Sequence, residues 1–138
     1  MARSAAYARI KSDVLRIVAA IPRGRLVTHA AIGAHLDVVP RHVAYILATL
    51  EVAEKSALPW HRVVGAEGRL GTPRRGADGR AQAEWLRDEG HALDGNALAS
   101  GFARRLVGVH ALAHGVPRQT RPVEVRGTAG QRGRRTAR

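Results

Sequence analysis

The stretch "THAAIGAHLDVVPRHVAYIL", residues 28–47, predicts two short helices joined by a tight turn. Thr28 is well suited to be the N-cap of the first helix, over residues 30–36, because its hydroxyl can accept a hydrogen bond from a backbone N–H of the first turn. Asp37 and Val38 then form the turn. A second helix follows directly after this turn.

This second helix is predicted over about residues 40–53. Proline is favoured at a first helical position, where its missing N–H would have no partner, and Pro40 fits that position. The apolar residues that follow have helical spacing and are Val43, Ile46, Leu47 and Leu50. A longer helix upstream, ending at Pro22 and Gly24, is predicted by an apolar stripe with the same spacing. The stripe consists of Ile10, Val14, Ile17, Val18 and Ile21.

The three helices match the helix-turn-helix plan, in which the second helix of the pair is offered to DNA. An ordinary three-helix bundle would show the same periodicity, so it remains the alternative at this point. Arg41 favours DNA binding, because it lies in the first turn of its helix, where the positive end of the helix dipole disfavours a cation. A polyanion near this end of the helix would explain such a placement.

The remaining elements predict a small β wing and a final helix. Val63 and Val64, followed by "GAEG" and "RLG", predict a hairpin. A final helix is predicted from about Arg80, and Gly90 is the C′ glycine at which it ends. Between them, "PRRGADGR" is a basic loop whose Arg74 is a candidate DNA-binding residue. The predicted fold class is therefore mainly α with a small β wing, a winged-helix-like helix-turn-helix DNA-binding domain.

The composition limits the classes of function. A chain of 138 residues is enough for one domain with a modest core. No stretch approaches the roughly 20 consecutive apolar residues of a membrane span, and the first residues lack the apolar run of a signal peptide. We therefore expect a monomer in the cytoplasm, associated with the nucleoid. The absence of cysteine excludes a thiol nucleophile within this chain, and no spacing of metal ligands is present, so neither a metal nor a cofactor is expected.

The charge favours a polyanionic partner and is concentrated towards the end of the chain. Lys and Arg total 23 against 11 Asp and Glu, a formal net charge of +12, and phosphates neutralised by such residues release counterions. Residues 96–138 contain nine arginines and a single acid, whereas residues 1–95 contain 14 basic and 10 acidic residues. We divide the chain into a DNA-binding domain over 1–95, a weak helix over 96–114 and a basic tail over 115–138. The tail is predicted to be disordered, because it has too few apolar residues to form a core.

Five ordered motifs resemble the C-terminal domain of O6-alkylguanine-DNA alkyltransferases over about residues 14–93. They are "IPRGRLVTHAAIG" (21–33), "PRHVAYIL" (40–47), "PWHRVV" (59–64), "GRLG" (68–71) and "WLRDEG" (85–90). In that family the cysteine of a Pro-Cys-His-Arg-Val motif takes the alkyl group from guanine. Trp60 stands in the place of that cysteine. The chain is thus similar to the alkyltransferase-like proteins, which bind alkylated guanine in DNA and do not repair it themselves.

The chemistry of Trp60 agrees with this resemblance. Dealkylation is a displacement at carbon that needs a strong nucleophile, best supplied by an activated thiolate. An indole has no ionisable nucleophile at neutral pH, and the chain contains no thiol to replace it. No catalytic residue and no alkyltransferase activity are therefore predicted.

The resemblance implies that Arg41 is the arginine finger, which enters the base stack from the minor groove and fills the gap left by a flipped nucleotide. The small side chain of Ala44, on the same helix, would allow close approach to the groove. Trp60 would stack on or cover the flipped base. Plainer explanations remain open, with Arg41 as a solvated surface arginine and Trp60 as a core residue.

His29, Arg62 and Val63 complete the predicted DNA- and lesion-binding set, because the family's pocket is formed around the same positions. His29 stands where the family usually has a tyrosine that helps to swing the target phosphate, and the shorter reach of histidine predicts weaker DNA binding. His61 and Glu89 resemble the family's base and the carboxylate that orients it. With no cysteine to activate, they are predicted to be a structural brace of the pocket wall.

The predicted function is a non-enzymatic sensor that docks its helix pair in the minor groove and flips O6-alkylguanine out of duplex DNA. As the family implies, it would direct the lesion to the proteins of nucleotide excision repair. The alternatives are a winged-helix transcription regulator, whose recognition helix would contact the major groove, and a nonspecific DNA-binding protein. A hydrolase built on His61 and Glu89 is disfavoured, because no serine, threonine or cysteine lies beside that pair in the sequence.

Overall fold

The computed structural model describes residues 5–70 and 79–119, which are mainly helical with a few short strands. The helices are α1 (Ala5–Ala19), α2 (His29–Leu36), α3 (Pro40–Ala48), α4 (Val52–Ala57) and α5 (Gln82–Asp88). The strands are β1 (Val27–Thr28), β2 (Val63–Val64), β3 (Leu93–Asp94) and β4 (Ala97–Leu98), and 3-10 turns lie at Trp60–Arg62, Ala66–Gly68, Phe102–Arg105 and Val109–Ala111. None of the helices in these two ranges combines the length and the apolarity that crossing a membrane requires.

Helices α2 and α3 form the predicted pair, and a tight turn joins them. The hydroxyl of Thr28 accepts a hydrogen bond from the N–H of Ala31 at 3.0 Å, which confirms Thr28 as the N-cap of α2. α2 ends where Asp37 takes a left-handed backbone conformation, and the N–H of Val38 donates to the carbonyl oxygen of Gly33 at 2.9 Å. A Cβ on Gly33 would lie 2.5 Å from the carbonyl oxygen of Val38, so glycine is required for the two helices to turn so closely.

The second predicted helix is divided into α3 and α4, so the prediction of one continuous helix is wrong. α3 ends at Ala48, where the hydroxyl of Thr49 donates back into the last turn at 2.9 Å. α4 begins after Glu51, whose N–H donates to the side chain of Glu54 at 2.9 Å in a capping box. Glu54 also forms an ion pair with Lys11 of α1 at 3.2 Å, which ties α4 to α1. These polar caps, rather than the apolar spacing, decide where the helices end.

The small β elements differ from the predicted wing. β2 pairs in parallel with β1, with Val63 opposite Val27. The antiparallel hairpin is formed instead by β3 and β4, with Leu93 opposite Leu98. A parallel partner lies far away in the sequence and has no turn signal next to it, which explains why the sequence predicted a hairpin at the wrong strand.

The main core lies between α1, α2, α3 and the β1–β2 pair. Its buried apolar residues are Val14, Ile17, Val18, Ile21, Val27, Ile32, Leu36, Val43, Ile46, Leu47, Leu50, Trp60, Val63, Val109 and Val116. A second cluster beneath α5 consists of Leu26, Val64, Leu70, Leu86 and Leu98. Because Leu98, Val109 and Val116 belong to these clusters, the folded unit continues past residue 95.

Residues 96–114 do not form the predicted weak helix. They contain β4 and two 3-10 turns, because Gly101 adopts a left-handed conformation (φ 99°) that prevents a regular helix from running into Phe102. The N–H of Leu26 donates to the carbonyl oxygen of Arg105 at 2.9 Å, and the N–H of Val107 donates to that of Leu26 at 3.0 Å. This segment is therefore held beside the start of β1.

The first residues of the predicted tail, together with the three residues before them, form a strap against α2. We define this C-terminal strap as residues 112–119. His35 of α2 donates from Nε2 to the carbonyl oxygen of Val116 at 2.8 Å, and the N–H of Gln119 donates to the carbonyl oxygen of His35 at 2.7 Å. The side chain of Val116 is buried in the main core. The predicted disorder from residue 115 is thus wrong for residues 115–119, and residues 120–138 lie outside the described residues.

Candidate DNA-binding face and adjoining cleft

The outer face of α3 presents an exposed arginine beside small side chains. Arg41, in the first turn, makes no hydrogen bond or ion pair with the residues that the structure describes. Ala44 is half-buried and Ala48 is exposed, whereas 45 % of the surface of Tyr45 is exposed. The inner face of α3 is buried through Val43, Ile46 and Leu47. The helix therefore offers a cation and an aromatic ring to whatever approaches this face.

The start of α3 is fixed from α1. The rings of Tyr7 and His42 are stacked, with their centroids 5.8 Å apart. Pro40 begins the helix after Val39, which is extended. The backbone at Arg41 is thus held by its neighbours on both sides, while its side chain extends into solvent.

A cleft of about 500 Å³ lies beside Trp60. Its lining residues are Ala19, Lys55, Ser56, Ala57, Leu58, Pro59, Trp60, His61, Arg62 and Trp85. The indole of Trp60 is only 4 % exposed and belongs to the main core, and Nζ of Lys55 lies 5.9 Å from the centroid of its ring. Trp60 therefore fills the core and also borders the cleft.

Trp85 on α5 is a second indole of this cleft, and sequence reasoning assigned it no role. Its ring stacks on the imidazole of His61, with centroids 5.2 Å apart and planes 25° apart. The guanidinium of Arg80 lies 4.4 Å from the centroid of the Trp85 ring. Nε1 of Trp85 is a buried donor without a partner among the described residues.

Gln82, one turn before Trp85, is the other residue that sequence reasoning missed. Its Nε2 donates to the carbonyl oxygens of His61 and Val63, at 3.1 and 3.0 Å. These bonds fix the backbone of the PWHRVV motif against α5. The i, i+3 spacing of Gln82 and Trp85 was the available signal, because such residues share one face of a helix.

Glu89, directly after α5, is the centre of a buried group that we call the brace and define as His61, Arg62 and Glu89. Oε2 of Glu89 accepts hydrogen bonds from Nε2 of His61 at 2.8 Å and from Nη2 of Arg62 at 2.7 Å. Oε1 accepts from the N–H of Gly24 at 3.2 Å, and Nη1 of Arg62 donates to the carbonyl oxygen of Ile21 at 2.7 Å. The predicted contact between His61 and Glu89 is present, and the bonds to Gly24 and Ile21 anchor the motif to the loop before β1.

The brace determines the protonation of its members. Burial pushes the pKa of Glu89 upward, but hydrogen bonds from Arg62, His61 and Gly24 outweigh it and lower the pKa to about 2. Burial lowers the pKa of His61, despite the opposing effect of the carboxylate. At neutral pH the pair is therefore a carboxylate and a neutral imidazole that carries its hydrogen on Nε2. The described residues contain no cluster of three or more groups that suits a metal ion.

Two residues that were predicted to contact DNA, Arg62 and Val63, make contacts within the protein instead. The guanidinium of Arg62 borders the cleft but donates through Nε and Nη2 to Glu89, so it is engaged within the brace. Val63 is buried in the core as part of β2. Arg62 lies in the 3-10 turn Trp60–Arg62, where Glu89 binds its side chain, and Val63 begins β2 with its side chain in the core.

Of the remaining two predicted DNA-binding residues, the structure describes His29 but not Arg74. His29 is the first residue of α2 and is half-buried. Because Thr28 pairs with Val64 in the parallel β1–β2 register, His29 lies beside the end of the PWHRVV motif. Arg74 lies outside the described residues.

Comparison with known proteins supports the same architecture. Residues 9–91 match the family model of the 6-O-methylguanine DNA methyltransferase, DNA-binding domain. The crystal structure of S. pombe Atl1, in complex with damaged DNA containing O6-carboxymethylguanine, is similar to this chain with a TM-score of 0.61 and 20 % sequence identity. The match covers 77 % of this chain and 98 % of that chain, and it confirms the predicted fold class. A search of curated proteins found no match.

Proposed function

Since the chain belongs to the family of the 6-O-methylguanine DNA methyltransferase DNA-binding domain, we propose that it is a non-enzymatic sensor of O6-alkylguanine in duplex DNA. In this proposal α2 and α3 dock in the minor groove, the modified base flips out of the helix, and the cleft beside Trp60 receives it. The observation that carries the proposal is Arg41, which is exposed on the outer face of α3 and unpaired within the described residues.

Arg41 has the chemistry that a flipped base requires. Taking a base out of the stack costs on the order of a few kcal/mol, and this cost is least for a damaged or mispaired base. A planar guanidinium can stack in the resulting gap and donate hydrogen bonds to the orphaned partner base. Ala44 and Ala48 leave room for the helix to approach the groove. Because the start of α3 is already fixed by the stack of Tyr7 and His42, little backbone freedom is lost on binding.

The cleft has a size and lining that suit an alkylated purine. Its volume of about 500 Å³ falls within the roughly 300 to 1,000 Å³ of small-molecule sites. The indoles of Trp60 and Trp85 border the cleft, and an aromatic ring stabilises a stacked base by roughly 1 to 3 kcal/mol where its face is open.

Alkyl transfer is not part of the proposed function. The chain has no cysteine, and the carboxylate of Glu89 accepts hydrogen bonds from both the imidazole of His61 and the guanidinium of Arg62. The cleft therefore offers no thiolate to accept an alkyl group. We propose instead that the bound lesion persists and directs proteins of nucleotide excision repair to the site, with the sensor acting as a monomer at the nucleoid in the cytoplasm.

The direct test compares two fluorescently labelled duplexes, identical except for O6-methylguanine or guanine at one position. Anisotropy titrations at matched salt should give at least about tenfold tighter binding of the lesion duplex, which corresponds to about 1.4 kcal/mol. Equal affinities would reject the sensor and favour a nonspecific binder or a transcription regulator. Mass spectrometry of the protein after incubation with the lesion duplex should show no added methyl group.

Variants of two exposed arginines separate lesion binding from general charge. Arg41→Ala should abolish most of the preference for the lesion duplex and leave the free energy of unfolding nearly unchanged, since Arg41 has no partner among the described residues. Arg87→Ala is the matched control, because Arg87 is equally exposed but lies on α5. An equal loss of preference in both variants would show that net charge, rather than a finger, carries the binding.

A further inference from the structure

A second cavity, of about 250 Å³, lies between the corner that follows α5 and the turn that follows β4. We call it the His91 cavity. Its lining residues are Gly90, His91, Ala92, Leu98, Ala99, Ser100, Gly101, Phe102, Arg104 and Arg105. No Asp or Glu is among them, and none of them lines the cleft beside Trp60. The cavity is therefore a separate site with a positive lining.

His91 lines this cavity and has a buried ring nitrogen without a partner among the described residues. The residue is 7 % exposed, and its Nε2 is buried and makes no hydrogen bond within the described ranges. Buried side-chain nitrogen and oxygen atoms are normally paired, because leaving one unpaired costs stability. Burial lowers the pKa of His91, and the positive charge of Arg105 lowers it further. An anion in the cavity would offset the positive charge of Arg105 beside the imidazole.

Two arginines give the cavity its charge. Nη1 of Arg105 donates to the carbonyl oxygen of Gly24 at 3.2 Å, which holds its guanidinium near the cavity. The side chain of Arg104 makes no hydrogen bond or ion pair with the described residues, while its carbonyl oxygen accepts from Nη1 of Arg25 at 3.3 Å. Glu89 also acts electrostatically on His91, but its charge is already offset within the brace.

We propose that the His91 cavity binds a phosphate-sized oxyanion, held by the guanidinium groups of Arg104 and Arg105 and by a hydrogen bond from the imidazole of His91. Arginine forks match the oxygen atoms of a phosphate group in geometry as well as charge. The volume of about 250 Å³ is several times the roughly 30 Å³ that one water molecule occupies in the liquid, so a hydrated oxyanion fits. The phosphate comes either from a DNA backbone or from free inorganic phosphate. This inference does not depend on lesion recognition.

The test follows the imidazole nitrogens of the full ¹⁵N-labelled chain by long-range ¹H–¹⁵N NMR. Sodium phosphate is titrated against sodium chloride at constant ionic strength. The resonances of His91 should shift saturably, whereas those of His110, which is exposed and outside the cavity, should not. Arg104→Gln should weaken the phosphate affinity by about two- to fivefold, the loss expected for one exposed charge pair. Arg87→Gln, an exposed arginine elsewhere, should leave the affinity unchanged.

An undamaged duplex distinguishes the two sources of phosphate. A shift of His91 with duplex that competes with inorganic phosphate identifies a backbone phosphate as the ligand, whereas a shift with inorganic phosphate and not with duplex identifies a free anion. Both outcomes support the site. No shift of His91 with either ligand overturns the proposal, as do equal shifts of His91 and His110, or an equal loss of affinity in the Arg104 and Arg87 variants.

Discussion

Replacing Glu89 with glutamine is expected to lower the free energy of unfolding by about 3 kcal/mol near neutral pH. The magnitude follows from the fall of the Glu89 pKa from 4.5 to about 2 on folding, since each pKa unit corresponds to about 1.4 kcal/mol. The side chain of Glu89 is 2 % exposed, so solvent screens its interactions little. Glutamine keeps the shape of the side chain but removes the charge that Arg62 and His61 bind. Urea denaturation followed by far-UV circular dichroism measures the loss.

The sign of the pH effect is set by the same pKa. Because the folded-state pKa lies below the unfolded value of 4.5, the stabilisation by Glu89 is present above pH 4.5 and is lost as the pH falls through about 2. Carboxyl ¹³C NMR of the folded protein should therefore give Glu89 a pKa near 2. Asp88→Asn is the matched control, because Asp88 is adjacent but exposed and pairs with Arg80 at the surface, where a pair contributes about 1 kcal/mol or less. Titration of Glu89 near 4.5, or a loss as small as that of the control, would refute this account of the brace.

Substitutions at three further positions test the packing around the site. Gly33→Ala should lower the free energy of unfolding by about 1 to 3 kcal/mol in thermal melts, because the new Cβ would lie 2.5 Å from the carbonyl oxygen of Val38. A loss no larger than that of Ala34→Gly would contradict the close approach of Gly33 to Val38. His35→Ala should remove the strap's anchor and expose the Gln119 N–H to faster hydrogen exchange, and unchanged exchange would mean that the strap holds without it. Trp60→Ala should cost about 3 to 5 kcal/mol and remove the lesion preference, whereas Trp60→Phe should stay folded in calorimetry and bind the lesion duplex more weakly. Wild-type lesion preference in both Trp60 variants would leave the tryptophan a core residue only.

Helix caps, turns and helix ends could be predicted from the sequence, because each depends on residues only a few positions apart. The side-chain cap at Thr28, the turn at Asp37 and the helix end before Gly90 involve residues at most a few positions apart, and the structure confirms them. The exposure of Arg41 was predictable for the same reason, because helical spacing alone places Val43 and Ile46 on the opposite face. The family resemblance, which the match of residues 9–91 confirms, added the order of these elements.

The rest of the structure depends on contacts between distant residues. Arg62 was predicted to contact DNA, but Glu89 binds its guanidinium, and nothing near Arg62 in the sequence indicates that carboxylate. The parallel pairing of β1 with β2 and the anchoring of the strap by His35 also join residues far apart in the chain. The boundary between α3 and α4 was missed for another reason, because the cap at Glu51 interrupts a helix whose apolar spacing continues.

The positions of the two tryptophans have a practical consequence for measurements on this protein. The chain contains only Trp60 and Trp85, and both border the same cleft. The indole emission of the folded protein therefore originates there and nowhere else in the chain. A purine that stacks on either ring would quench this emission, so stopped-flow fluorescence can time the arrival of a base with no dye attached to protein or DNA.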